Sequence, residues 1–317
     1  MSGILKIRRA QTHMVLRSLT KKAREQPKRI GFPERDERIE KAIRMIRRSK
    51  TAIPTMIGTH ERYECIDTTE RMDELIRYYR EKGADQKQIT NLRRDPVAQA
   101  MILLDMGELD AVISGAIHST AHTLRNAFSI IGMEEGVKRA SSFFIMDKHA
   151  TRVENIKILS DCAVQVSPDA KELAEIAVLS ARTARGLGLD PRVALLSFST
   201  KGSAKTPETQ NVRKATTLAK RADPSTRFDG ELQLDAALDP HIAERKGAPE
   251  LEGAANVLIF PDLNSGNIGY KIMRMYGRYD ALGPFLQGLR KPVIDLSRSV
   301  SVQEIHDIAT VVSAIYP

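Results

Sequence analysis

The sequence predicts an α/β protein with mainly parallel sheets. Two observations carry this. Short apolar runs alternate with helical patterns along almost the whole chain. Several of those runs lead directly into glycine- or hydroxyl-rich loops, the pattern of strands whose carboxyl ends present polar atoms to a ligand. A length of 317 residues allows about two domains.

The elements follow in order. Residues 28–33 (KRIGFP) read as a short strand, and 37–49 as a helix with Ile39, Ile43 and Ile46 at helical spacing. Residues 53–58 are a second strand. Residues 70–82 are helical and stop at Gly83, and 96–106 are helical and stop at Gly107. The run 109–115 (LDAVISG) reads as a buried strand whose glycine opens a loop, followed by a helix over 120–131. Then come a strand over 140–146, a strand or hairpin element over 157–166, and a helix from Ser167-Pro168 to about Arg185. Strands over 192–199, 256–261 and 292–296 and a final helix over 302–315 complete the chain.

Composition excludes several classes. With 42% hydrophobic and 28% charged residues this is an ordinary globular chain. Its length allows a large core without a disulfide or metal staple. The two cysteines, Cys65 and Cys162, fit no zinc or disulfide framework, and the simplest setting is a reducing cytoplasm. No signal-peptide pattern opens the sequence, and no apolar run approaches the roughly 20 residues that span a bilayer. The net charge of +9 is concentrated at the start: residues 1–50 hold 16 Lys or Arg against 5 Asp or Glu. A solvated basic helix explains this. Nucleic-acid binding is the competing explanation, but aromatic interleaving and a reading motif are absent.

Five segments stand out as able to carry chemistry. Residues 114–120 (SGAIHST) lie at a strand-to-helix junction, where small residues and a helix N-terminus favour an anion; Arg125 follows on the helix. Residues 197–205 (SFSTKGSAK) gather hydroxyls and two lysines after a strand without Walker A spacing. Residues 261–267 (PDLNSGN) place Asn264 and Asn267 after a strand, where a turn with Asx capping is the competing explanation. Residues 283–292 (GPFLQGLRKP) read as a rigid loop. Residues 295–298 (DLSR) put a hydroxyl and a guanidinium at a strand end, suited to an oxyanion and a phosphate. Ser301 and Glu304 match a capping box. His118 and His122 stand four apart but lack the acidic company of a zinc site, and no G-x-S-x-G elbow or G-x-G-x-x-G fingerprint is present.

Taken in order, these segments resemble the phosphate acetyltransferase family, grouped with the phosphate butyryltransferases. The residues that carry the resemblance are Ser114–Ala116 with Arg125, Asp161–Val166, RVALLSFSTKGSAK, DGELQLDAAL, NVLIFPDLNSGNIGYK and GPFLQGLRKPVIDLSR, with the opening KRIGFPERDERIEKAIRMI. It covers about residues 28–315.

The resemblance implies two α/β/α domains with an active-site cleft between them, residues 1–135 with 285–317 and residues 136–284. It implies a cytoplasmic homodimer and reversible transfer of an acetyl group between CoA and phosphate, with no metal and no tightly bound cofactor. CoA, acetyl phosphate and phosphate are the expected small-molecule partners; neither a membrane nor a nucleic acid is expected. The family's oxyanion-stabilising serine falls on Ser297 and its neighbouring arginine on Arg298. A second family arginine falls on Arg125, with Asn126 where the family has proline. A third lies near Arg80, one residue out of step. The family's catalytic aspartate falls on Glu304, and Ser299 stands where glycine is usual. Substrate contacts are expected from Ser114, Gly115, Ser199, Thr200, Lys201, Lys205, Asn264 and Asn267.

In this reading the CoA thiol attacks the acyl phosphate carbonyl and Glu304 takes its proton. Reference pKa values of about 8.5 for a thiol and 4.3 for a glutamate leave a gap of about 6 kcal/mol for the site to narrow. Ser297 donates to the oxyanion, an effect typically worth about 3 kcal/mol. Two alternatives stay open: a phosphate butyryl- or propanoyltransferase, and a module that senses acetyl-CoA without turning it over.

Overall fold

The computed structural model describes residues 14–148 and 156–316; the first thirteen residues of the basic leader lie outside the described residues. In chain order the elements are α1 (Met14–Glu25), β1 (Lys28–Phe32), α2 (Glu37–Ser49), β2 (Ala52–Ile57), β3 (Cys65–Ile66), α3 (Met72–Glu81), α4 (Gln86–Leu92), α5 (Pro96–Met106), β4 (Ala111–Ser114) and α6 (Thr120–Asn126). A central stretch follows: β5 (Ser141–Asp147), β6 (Lys157–Ser160), α7 (Ala170–Gly186), β7 (Arg192–Leu196), α8 (Pro207–Ala222) and β8 (Arg227–Leu232). It continues with α9 (Leu234–Leu238), α10 (Pro240–Arg245), β9 (Val257–Ile259), α11 (Leu263–Met275) and β10 (Asp280–Gln287). The chain ends with β11 (Val293–Asp295) and α12 (Val302–Ile315).

Two compact units result. One comprises Ser18–Gly136 with Gly283–Pro317, and the other contains Val137–Leu282. The strand order of the first is β3-β2-β1-β4-β11-β10, parallel except where Phe285 of β10 pairs antiparallel with Ile294 of β11. In the second it is β5-β6-β9-β7-β8, parallel except for β5 with β6. Parallel neighbours need crossover connections, which the intervening helices supply. Every residue of β4 and β11 is buried, as expected of strands covered on both faces.

Local chemistry sets the helix ends. The Asp36 carboxylate caps α2 by accepting the Arg38 N–H at 2.8 Å, and Ile39, Ile43 and Ile46 are fully buried. Residues 97–104 of α5 are all buried, so this helix is central rather than amphipathic.

Several elements depart from the sequence expectation. α7 starts at Ala170, not at Pro168. The Asp169 carboxylate accepts from the Lys171 and Glu172 N–H groups, and Glu172 answers the Asp169 N–H, a charged reciprocal cap that outcompetes the Ser167 hydroxyl. The strand expected over 157–166 stops at Ser160. Beyond it the Asp161 carboxylate accepts from the N–H groups of Ala163, Val164 and Gln165 and winds the chain around itself. The helix expected over 120–131 is α-helical only to Asn126 and widens to a π turn over Ala127–Ile131. Residues 283–287, read as loop, are strand: Phe285 and Leu286 are buried, and that burial overrides the glycine and proline punctuation. Asn264 and Asn267 lie in helix α11, not in a loop, because the Asp262 carboxylate accepts the Ser265 N–H and starts the helix early.

Candidate active site

In the first unit the strand order reverses at β1. Connections run outward to β2 and β3 on one side and to β4 and β11 on the other. The carboxyl ends of β1 and β4 therefore flank the crevice where such sheets bind ligands. Ser114, the last residue of β4, is in register with Asp295, the last of β11. The chain leaves the two strands side by side, into Gly115 on one and into Leu296, Ser297 and Arg298 on the other.

The packing there leaves no spare room. Gly115 has φ +105°, and a Cβ on it would stand 2.6 Å from the Leu296 backbone N and O and 2.7 Å from an Asp295 carboxylate oxygen. The Leu296 N–H donates to the Ser114 carbonyl at 2.6 Å. Only glycine reaches this backbone conformation and this approach without strain. Beneath the junction Ser114 Oγ, Thr123 Oγ1 of α6 and Asp295 Oδ1 are buried without a hydrogen-bond partner. Burial, reinforced by the Glu34 charge, outweighs the opposing effect of the nearby Thr120 and Thr123 hydroxyls and pushes the Asp295 carboxyl up to about 6.

Ser297, Arg298 and Ser299 form an exposed turn. Ser297 Oγ lies 2.9 Å from Ser299 Oγ, and its carbonyl accepts the Val300 N–H at 2.9 Å. The turn is fastened by Arg38. Its guanidinium lies fork to fork on Asp36, at 2.9 Å on each arm, and donates to the carbonyls of Arg298 (2.7 Å), Val300 (3.1 Å) and Ala116 (3.2 Å). One side chain thus ties the β11 turn to the β4 loop. Glu304 occupies the capping-box position, with its carboxylate accepting the Ser301 N–H at 2.7 Å.

The loop after β4 holds an anion supplied by the chain itself. The backbone N–H groups of Ala116, Ile117 and His118 donate to the Glu34 carboxylate at 2.8, 3.2 and 2.8 Å, and His118 Nδ1 donates to it at 2.8 Å. The sequence reading offered these amides to a ligand anion; Glu34, fully buried two residues beyond β1, takes them instead. His122 stacks on His118 with ring centroids 5.1 Å apart and bonds Asp95. Arg125 and Arg80 are exposed, on α6 and near the end of α3.

The remaining expected site residues belong to the second unit. Ser199 is buried; its hydroxyl donates to Glu231 at 3.0 Å and accepts the Ala204 N–H at 2.9 Å. Thr200 Oγ1 donates to Gln233 at 3.1 Å. Lys201 has φ +49° and sends its ammonium to the buried Asp229 at 2.5 Å and to Glu250 at 3.3 Å. Burial works against that charge, but the two carboxylates outweigh it and raise the lysine pKa. Asn267 spans the Cys162 carbonyl (3.0 Å) and Lys271 (2.7 Å). Lys205 and Asn264 are exposed. Composition marked the 197–205 loop as a ligand cradle, and the structure gives most of its polar atoms internal partners.

Sequence reasoning passed over Glu34, Arg38 and Asp295. A detectable signal existed for Glu34, a carboxylate two residues after a strand at the switch point. Arg38 gave none of its fastening role, because beyond the neighbouring Asp36 its partners are carbonyls of residues 116, 298 and 300.

A doubly wound sheet with a Ser-Arg turn, a close-approach glycine and guanidinium groups at one carboxyl edge defines a protein that handles anionic substrates without a nucleotide fingerprint. Comparison with known proteins makes this specific. Residues 14–313 match the family model described as phosphate acetyl/butaryl transferase, and the chain belongs to that family. It is 41% identical over 307 residues to a phosphate acetyltransferase of Bacillus subtilis, covering 90% of this chain and 94% of the relative. It is likewise 41% identical over 318 residues to one of Thermoanaerobacterium thermosaccharolyticum, covering 93% and 97%. Among solved structures it resembles the EutD phosphotransacetylase from Staphylococcus aureus, with TM-score 0.86, 37% identity and coverage of 95% and 97%. A branched-chain phosphotransacylase from Enterococcus faecalis, at 18% identity and TM-score 0.67, shares the fold.

Proposed function

We propose that this acyltransferase is a phosphate acetyltransferase, interconverting acetyl-CoA plus phosphate with acetyl phosphate plus CoA. The observation that carries the reading is the exposed Ser297-Arg298 turn, set beside Ser114-Gly115 by the β4–β11 register in a chain that belongs to the family. In the proposed step the CoA sulfur forms a bond to the acetyl carbonyl carbon. The thiol proton passes to the Glu304 carboxylate. The tetrahedral oxyanion accepts a hydrogen bond from Ser297 Oγ, and the carbon–oxygen bond to phosphate then breaks. Arg298 and Arg125 hold the departing phosphate, whose geometry suits a forked guanidinium.

To act as the base, Glu304 must release the Ser301 N–H that it accepts in the capping box. Ser297 must turn from Ser299 toward the substrate, a rotation open to an exposed hydroxyl. Lys205 is assigned to the CoA phosphates, with Arg80, Asn264 and Asn267 as further substrate contacts. Lys201, Ser199 and Thr200 are assigned to shaping their loop. Residues 1–135 with 285–317 and residues 136–284 are taken as the two domains of a cytoplasmic homodimer. Among the described residues no helix is long and apolar enough to cross a membrane.

The deciding experiment mixes the protein with CoA and acetyl phosphate and follows thioester and phosphate, with Ser297→Ala and Arg298→Ala as controls. Turnover that falls about 100-fold in each variant supports the assignment. Full activity in both sinks the site. No thioester with acetyl, propanoyl or butyryl phosphate sinks the enzyme and favours a CoA-sensing module.

A further inference from the structure

The first unit contains a cavity of about 540 Å³ at the carboxyl edge of its sheet, beside the Glu34–His118 contact. It is lined by residues that follow β1, β2, β3 and β4 and by the junction of α4 with α5. Its volume lies within the roughly 300–1,000 Å³ of small-molecule sites. Among apolar walls that include Ile57, Met72 and Ile117, the polar groups are mainly cationic and hydroxylic: Arg35, Arg93 and Arg94 with Thr59, Thr68 and Thr69. The sole carboxylate in the lining, Glu34, is already held by three backbone N–H groups and the His118 ring. Gln99 in the wall is committed at both ends of its amide, accepting from Thr68 at 2.7 Å and donating to the Leu92 carbonyl at 2.8 Å.

The guanidinium groups are unequal. Arg35 is tethered to the Thr59 carbonyl at 2.5 Å. Arg93 reaches Asp73 only at 3.6 Å, and both side chains are more than half exposed, so this pair holds little of its charge. Arg94 has no acidic partner within 4 Å among the described residues. Two adjacent, weakly committed guanidiniums, with the Thr59 and Thr69 hydroxyls in the same lining, form a site for an anion with several acceptor oxygens. A cavity of this size also has room for more than the bare anion.

We propose that this cavity binds a phosphoryl-bearing ligand gripped by Arg93 and Arg94. The site goes beyond the Ser297 assignment and stands independently of it. Two sources carry the required chemistry: the nucleotide end of CoA, and a separate small phosphorylated molecule.

The test is calorimetric titration of the full chain with adenosine 3′,5′-bisphosphate and with inorganic pyrophosphate, alongside kinetics. Arg93→Ala/Arg94→Ala should weaken at least one probe about tenfold or more. Arg47→Ala/Arg48→Ala, which removes two exposed charges outside the cavity, should leave both affinities unchanged. Arg94→Gln, which keeps a polar stem and amide donors but removes the charge, serves if the double variant misfolds and should weaken binding in the same direction. Bisphosphate binding that competes with CoA, with a raised KM for CoA and unchanged kcat in the variant, assigns the site to CoA. Pyrophosphate binding that does not compete with CoA, with KM for CoA unchanged, assigns it to a separate ligand. No binding of either probe to the unaltered chain, or undiminished binding in the variants, overturns the proposal. Absence of thioester formation by the unaltered chain would count against the acetyl-transfer reading while leaving probe binding to be read.

Discussion

Glu34 and His118 are joined twice: one carboxylate oxygen accepts from both the backbone N–H and Nδ1 of His118, each at 2.8 Å. The contact spans the crevice between β1 and β4 and sets the path of the loop that carries Ser114 and Gly115 toward the Ser297 turn.

Glu34→Ala should therefore act on both stability and rate. It strips the N–H groups of residues 116–118 of their acceptor in a buried setting. A loss of about 3 kcal/mol is expected, read as a lowered urea midpoint at unchanged slope. Turnover at saturating substrate should fall in the surviving folded protein. Glu34→Gln, which keeps one acceptor oxygen, should recover part of both. Wild-type stability in Glu34→Ala would contradict the assigned role.

Asp295 gives the fold a pH dependence of definite sign. Its carboxyl is raised to about 6 in the folded chain from an ordinary 3.8, so between those values the folded state holds more protons than the unfolded one. Stability from this group is therefore greatest at low pH. It declines as pH rises from about 4 to 6 and is level above. Asp295→Asn removes the decline. The stability difference between variant and wild type should shift in the variant's favour by up to about 3 kcal/mol between pH 4 and pH 7. Denaturant curves at those two pH values measure it, and a difference constant with pH would refute it.

Lys201 and Asp229 form a pair whose carboxylate is fully buried, with Glu250 as a second acid on the lysine. Burial, reinforced by the neighbouring Glu250 carboxylate, pushes the Asp229 carboxyl up even with Lys201 as partner. Lys201→Met leaves an uncompensated buried acid and should cost about 3 kcal/mol at pH 7. Adding Asp229→Asn should restore a large part, a coupling that a double-mutant cycle reads directly. If Lys201 instead serves CoA alone, Lys201→Met would raise KM for CoA and leave stability untouched.

Glu304 has two separable duties, the cap seen in the structure and the base proposed for the reaction. Glutamine also serves at N3 of a capping box. Glu304→Gln should hold stability within about 0.5 kcal/mol of wild type while lowering kcat about 100-fold. Glu304→Asp should retain turnover. Unchanged kcat in Glu304→Gln would leave Glu304 as a cap only.

The fold class and several elements were legible in the sequence because their signals are local. Helical spacing of Ile39, Ile43 and Ile46, Pro96 ahead of an apolar run, and Ser301 with Glu304 each act within a few residues, and α2, α5 and α12 have the expected bounds. Weaker local signals were overlooked: Thr206-Pro207 caps α8, and Asp262 starts α11 inside a segment read as loop. The misread strand over 283–287 depended on burial of Phe285 and Leu286, which no local pattern announces.

What the sequence by itself determined was the alternation of strands and helices, the family and the Ser297-Arg298 step at a strand end. Tertiary structure decided which charged groups remain available. Glu34 occupies the amides that composition offered to a ligand, Asp229 and Glu250 occupy Lys201, and Arg38 fastens a turn 260 residues further along the chain. The physical reason is that a buried polar group must find a partner at hydrogen-bonding distance, and that partner is set by strand order and register. Parallel pairing brings residues 34, 116 and 298 to one sheet edge, a proximity with no trace in residue spacing.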